Sequence, residues 1–258
     1  MKSKQQQLFI LLAAIFITNA ILAELIGVKI FSLEGTLGFT PVNLNILGYT
    51  LDFNLTAGVV IWPVVFITTD IINEYFGRNG VQKVTLIAVG CISYAFLMIY
   101  MVTKLDPAQF WLEVNDQDSL GNPFNINFAF NKTYTQGLGV VIGSITAFLI
   151  GQLLDVAVFQ KLRKLTGGKM IWLRATGSTL ISQLIDSFIV LIMAFYILAP
   201  AAGRWEFSQV VSVATINYIY KFMVAILLTP LIYLGHYLID YYLGEHAGAI
   251  KEKASGRS

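Results

Sequence analysis

The amino-acid sequence predicts an all-α polytopic membrane protein, a bundle of six transmembrane helices with both termini in the cytoplasm. Three observations carry this prediction. Of the 258 residues, 56% are hydrophobic and only 12% are charged, a balance outside the range of soluble domains. Six stretches reach the roughly 20 apolar residues that a helix needs to cross about 30 Å of hydrocarbon. Finally, Lys and Arg gather in alternate connecting segments, as positive charge does on the cytoplasmic side.

In chain order the expected spans are Leu8–Val28, Leu55–Phe76, Val81–Thr103, Gly137–Phe159, Ala175–Ala199 and Val210–Tyr233, forming a single transporter domain over residues 1–258. The first is too long for a cleaved signal, and no small-residue cleavage site follows it. Lys2, Lys4, Arg78, Lys83, Lys161, Arg163, Lys164, Lys169, Arg174, Lys251, Lys253 and Arg257 all fall on one side of this scheme. The opposite side holds Lys29, Lys104, Lys132 and Arg204 together with most of the loop carboxylates. Two outer connections, Lys29–Asn54 and Lys104–Gln136, are long enough to form a gate or cap, and equally suit surface loops.

The net charge of +2 is accounted for by topology, so a nucleic-acid partner is not expected. Cys91 stands alone inside the third span and supports neither a disulfide nor a cysteine metal site. No cofactor is implied. His236 and His246 lie at the cytoplasmic end, and no zinc-protease, nucleophile-elbow or phosphate-loop motif occurs, so catalysis is not expected. Paired intramembrane carboxylates keep an intramembrane enzyme as the least favoured alternative.

Ionisable and polar residues inside the spans carry the functional reading, because each costs several kcal/mol in hydrocarbon unless it faces protein or water. Asp70, Asn73, Glu74 and Gly77 recur with the spacing of one helix face, Asp70 about 22 Å from the outer end. Glu74 sits low enough to snorkel to the interface instead. Gln152 and Asp155 share a face in the fourth span, where Asp155 suits either a ligand or an ion pair with Lys161 or Arg163. In the fifth span Ser178, Ser182 and Asp186 are spaced by four, with Gln183 beside them; Asp186 falls about 18 Å from the cytoplasmic end. Asn217 and Lys221 in the sixth span lie at a similar depth, so Asp186 and Lys221 are placed to meet, as a site or as interhelical glue. Asn19, Glu24 and Lys29 form a further polar set in the outer half of the first span.

The resulting lining of Asp70, Glu74, Asp155 and Asp186 against Lys221 suits a small ligand rich in N–H donors. Trp62, Phe66 and Tyr218 are candidates to stack on a planar ring, or to pack against neighbouring helices. One short echo links the fourth and fifth spans: Leu149-Ile150-Gly151-Gln152-Leu153-Leu154-Asp155 resembles Leu180-Ile181-Ser182-Gln183-Leu184-Ile185-Asp186. The spans run in opposite directions, as an inverted transporter repeat would; coincidence in an apolar alphabet is the competing reading.

The run Trp62-Pro63-Val64-Val65-Phe66-Ile67-Thr68-Thr69-Asp70-Ile71-Ile72-Asn73-Glu74-Tyr75-Phe76-Gly77-Arg78 resembles the second-span signature of the queuosine precursor transporters, also called the vitamin uptake transporter family. Gly151 to Val156 with Phe159, Trp172-Leu173-Arg174 with Ser178, Thr179 and Asp186, and Asn217-Tyr218 with Lys221 and Pro230 agree in the same order. The segment from Asn19 to Lys29 resembles the family's first span. Trp62 replaces a frequent Phe, and Asn217 replaces an Asp of some members, which weakens a proton relay there. The resemblance implies uptake of 7-deazaguanines such as 7-cyano-7-deazaguanine across a bacterial inner membrane, with the lipid bilayer as the other partner and a homo-oligomer left open. The alternative class is a membrane-embedded vitamin-capture subunit that needs an energising partner.

Overall fold

The computed structural model describes residues 4–134, 138–167, 170–199 and 201–255. Its first helix, α1 (Lys4–Ile26), is apolar nearly all round yet buries a single stripe, Leu8, Leu12, Phe16, Ala20 and Ala23. The other faces expose Ile10, Leu11 and Leu22. A helix that is apolar on every side but covered by protein on one belongs in lipid.

The connection that follows is folded. It forms β1 (Ile30–Ser32), α2 (Leu33–Leu37), β2 (Leu44–Ile46), β3 (Tyr49–Leu51) and β4 (Asn54–Thr56), with β1 antiparallel to β4 and β2 antiparallel to β3. Leu55 therefore pairs in a strand instead of starting the second span, and a 3₁₀ turn, Ala57–Val60, carries the chain into α3 (Trp62–Val102). Pro63 explains the start at Trp62: it sits in the first helical turn, where its missing N–H leaves no bond unmade.

The expected second and third spans run together in α3, interrupted only at Gly77, whose φ of 65° and ψ of −170° lie outside the helical region. Trp62 and Phe96 line one cavity, although an unbroken helix would hold them about 51 Å apart. The chain thus folds back at Gly77 into two arms, residues 62–76 and 78–102. Gly77 is required twice over, since a side chain there would meet the Ala254 carbonyl oxygen at 2.6 Å and its φ is positive. It is accordingly the corner of the hairpin and not a member of the Asp70 helix face. Val65, Ile72 and Tyr75 of the first arm and Val81, Val84, Ala88 and Ile92 of the second share one core with the α1 stripe.

The second long connection carries α4 (Gln109–Val114) and α5 (Ile126–Tyr134). Three long helices follow: α6 (Leu138–Leu165), α7 (Ile171–Leu191), which continues in π-helical form over Ile192–Ile197, and α8 (Phe207–Leu243), before the short α9 (His246–Ala254). Gly137, the expected start of the fourth span, lies outside the described residues. α7 starts before the expected Ala175, and α8 runs on past Tyr233 to Leu243. Among the described residues, five helices, counting α3 once, are long and apolar enough to cross a membrane. In each, less than half of the most apolar window is buried within the chain, which leaves the remainder for lipid.

Both ends of the described chain meet near the Gly77 corner. Lys4 Nζ donates to the Tyr242 carbonyl at 3.4 Å, and Lys251 Nζ of α9 to Asp240 Oδ2 at 2.7 Å. Tyr75 donates its hydroxyl to Asp240 Oδ1 at 2.8 Å. At the opposite end the β2–β3 hairpin ties to the start of α8, through Tyr49 Oη to Glu206 Oε2 at 2.9 Å and Ser212 Oγ to the Ile46 carbonyl at 3.1 Å.

Candidate functional site

A cavity of about 220 Å³ lies between α1, the ends of both α3 arms remote from Gly77, α6, α7 and α8. Its polar wall is Glu24, Ser144, Asp186, Ser187, Asn217 and Lys221, and Trp62, Phe96, Phe148 and Phe195 face it. The depth argument for Asp186 and Lys221 holds: Lys221 Nζ lies 2.5 Å from Asp186 Oδ2, both side chains less than one-fifth exposed. The pair presents a donor and an acceptor side by side, each charge offsetting the other's desolvation. Trp62 stacks on Phe66 at 5.8 Å between ring centroids, and Phe148 lies tilted against it at 5.6 Å.

Directly beneath, Gln152 and Gln183 border a small gap shared with Trp62, Phe148, Gly151 and Asp186. This is where the sequence echo acquires a geometry. A Cβ on Gly151 would sit 3.5 Å from Asp186 Cβ, so Asp186 packs on the small third residue of the first heptapeptide. Asp155 reciprocally accepts from Ser182 Oγ at 3.3 Å, the third residue of the second heptapeptide, and from Thr179 Oγ1 at 3.5 Å. The two contacts are related by a local two-fold across the α6–α7 crossing. Because Gly151 offers no hydroxyl where Ser182 does, Asp186 turns to Lys221 while Asp155 is held by hydroxyls.

The remaining expected residues form a separate, deeper layer. Asp70 is 1% exposed and borders a small gap with Phe66, Thr176 and Thr179. Asn73 Oδ1 accepts from Gln160 Nε2 at 2.6 Å. Glu74 does not snorkel: it is 3% exposed and lies 3.6 Å from Arg163. The Arg163 guanidinium also donates to the Glu74 carbonyl at 3.3 Å and the Lys251 carbonyl at 2.6 Å. It thereby satisfies a carbonyl left without a helical donor by the break at Gly77, and it pairs with Glu74 instead of Asp155. Tyr218 faces Phe222 edge-on at 6.3 Å and is not part of the cavity wall.

Glu24 is the cavity residue that span-by-span reading undervalued. Ser144 donates to its two oxygens at 2.7 and 2.6 Å. The signal in the sequence was its placement, a carboxylate inside the outer half of the first span; its partner on α6 could not be named without the fold.

Residues 56–235, from β4 into α8, match the family described as "Putative vitamin uptake transporter". The chain belongs to that vitamin uptake transporter family. The family is one of transporters and not of enzymes, and the helices described above make this member a multi-pass membrane protein. Three relatives are similar over most of their length. A "Probable queuosine precursor transporter" of Bacillus subtilis (strain 168) is 28% identical over 208 residues, 79% of this chain and 82% of the relative. One of the same description from Haemophilus influenzae (strain ATCC 51907 / DSM 11121 / KW20 / Rd) is 27% identical over 192 residues, 72% and 71% of the two chains. The "Queuosine precursor transporter" of Escherichia coli (strain K12) is 26% identical over 178 residues, 68% and 70%. No solved structure matches the chain. The family stretch includes Trp62, Asp186 and Lys221 but begins after Glu24.

Proposed function

We propose that this vitamin uptake transporter carries queuosine precursors, 7-deazaguanines such as 7-cyano-7-deazaguanine, inward across a bacterial inner membrane by alternating access. The observation that carries the reading is the Asp186–Lys221 pair set in an aromatic-walled cavity. A deazaguanine presents N1–H and an exocyclic amine to a carboxylate, an O6 acceptor to an ammonium or amide, and a flat face to Trp62 or Phe148. At about 220 Å³ the cavity is below the about 300 Å³ typical of drug-sized sites, a size that favours a free bicyclic base over its nucleoside.

The substrate-contacting set is Trp62, Gln152, Gln183, Asp186, Asn217 and Lys221. Asp70, Asn73, Glu74, Asp155 and Ser182 form the closed layer beneath, which has to part for release inward. Six crossings are the reading favoured by the fold-back at Gly77, each α3 arm counting once. Clustering of Lys4, Arg163 and Lys251 at the Gly77 end supports a cytoplasmic N- and C-terminus.

The test is uptake of labelled 7-cyano-7-deazaguanine by cells that cannot synthesise queuosine, and by liposomes holding only the purified chain. Uptake in both is expected. Uptake in cells but not liposomes would favour a capture subunit with an energising partner, and undiminished uptake by an Asp186→Asn, Lys221→Met double variant would sink the site.

A further inference from the structure

We infer that Glu24 is the specificity-determining carboxylate of the cavity, and that it receives a protonated amine carried on the 7-substituent of the substrate; the inference rests on the transporter reading above. The charges facing the cavity are two carboxylates, Glu24 and Asp186, and one ammonium, Lys221. Lys221 is committed to Asp186. Among the described residues Glu24 is held only by the Ser144 hydroxyl, and no Lys, Arg or His forms an ion pair with it.

A lone carboxylate among Trp62, Phe96 and Phe148 is costly when ionised, and a cationic ligand group removes that cost on binding. The division of labour follows from which wall each group occupies. Asp186 and Lys221, on α7 and α8, offer the acceptor and donor that suit the amino-lactam edge common to all deazaguanines. Glu24, on α1 with its Ser144 brace on α6, faces the same space from other helices and is left for the part of the molecule that varies. A nitrile at that position only accepts, so it gains nothing from a carboxylate; an aminomethyl group is a cation with several N–H donors and gains a charge-assisted bond.

Glu24→Gln removes the charge and keeps an oxygen for Ser144, so uptake is measured for this variant and for wild type with two labelled probes, 7-cyano- and 7-aminomethyl-7-deazaguanine. Wild type is expected to take up both. Glu24→Gln is expected to raise the KM for the aminomethyl compound about 10- to 100-fold, the scale of one lost charge-assisted hydrogen bond, with less than about 3-fold change for the cyano compound. Retained cyano uptake certifies that the variant is folded. An equal loss of both substrates, or no loss of either, overturns the assignment while leaving the transporter reading intact. Failure of wild type to take up either probe would overturn the reading beneath it as well.

Discussion

Asp186 lies against the bare Cα of Gly151, and the reciprocal contact between the same two helices sets Asp155 against Ser182. Two nearly identical heptapeptides thus cross antiparallel, differing only at Gly151 for Ser182 and Leu154 for Ile185, and the first of these is the difference that meets the aspartates. One aspartate turns to a lysine beside a cavity and the other is held by hydroxyls in a closed layer. An inverted pair of this kind is a device by which two faces of a carrier can be built from one motif.

The small residue at 151 is open to a direct test. A Cβ there would make ordinary contacts, 3.5 Å to Asp186 Cβ and 3.6 Å to Oδ1. Gly151→Ser should fold with a stability change within about 0.5 kcal/mol, yet its hydroxyl competes with Lys221 for Asp186. Thermal melting in detergent should move little, while precursor uptake falls several-fold. Unchanged uptake would show that the Asp186 orientation is set elsewhere.

The Asp186–Lys221 pair predicts non-additivity. Lys221→Met alone leaves a carboxylate without its cation, and Asp186→Asn alone leaves an ammonium without its anion; each is expected to cost on the order of 3 kcal/mol. The double variant is expected to recover much of that stability without recovering uptake. Melting temperatures of the two singles and the double, set against uptake, separate structural glue from ligand contact.

At the Gly77 end, Arg163 joins α6 to the first α3 arm and to α9 through Glu74, the Glu74 carbonyl and the Lys251 carbonyl. Arg163→Met removes all three at once and strands a buried Glu74, so a loss of about 3–5 kcal/mol is expected. The check is the unfolding midpoint, together with faster proteolysis of the C-terminal helix. A melting curve like that of wild type would contradict the arrangement.

Gly77→Ala combines a positive φ with a Cβ placed 2.6 Å from the Ala254 carbonyl oxygen. The expected cost is about 1–3 kcal/mol. Truncating the chain before Ala254 should relieve the contact and recover part of the loss, leaving the backbone strain. Equal losses with and without the truncation would place the entire cost in φ.

The connection between α1 and α3 carries a pH dependence of known sign. Burial acts to raise the Glu34 carboxyl, but hydrogen bonds from the Phe53 N–H, at 2.8 Å, and Ser32 outweigh it and hold the group below the usual carboxylate range. A depressed carboxylate stabilises the fold fully above its unfolded value of about 4.3 and loses that contribution as pH falls through the lower folded value. Protection of the Phe53 amide from hydrogen exchange should therefore fall in acid, and Glu34→Gln should flatten the profile.

How much of the architecture could be read in advance differs by element. The apolar runs and the one-sided Lys and Arg exposed the helices, and depth counting along two helices was enough to bring Asp186 to Lys221. The start of α3 was misplaced because Leu55 is as apolar in a strand as in a span. Only the pairing of β4 with β1, from a segment more than twenty residues earlier, removes it from the helix. Glu74 was left between a place in the site and the interface because Arg163, which pairs with it, is remote in the chain.

By itself the sequence determined what is local or additive: hydrophobic length, charge asymmetry, the spacing of polar groups on each helix and the motifs of a family. Those properties depend on one helix and its solvent, so they survive without knowledge of neighbours. Only the tertiary structure decided which polar faces share a space, dividing the expected residues between a cavity remote from Gly77 and a buried layer nearer to it, and bringing Glu24 into the former. That division depends on how helices cross, and a crossing is set by the packing of small residues such as Gly151 against side chains from elsewhere in the chain.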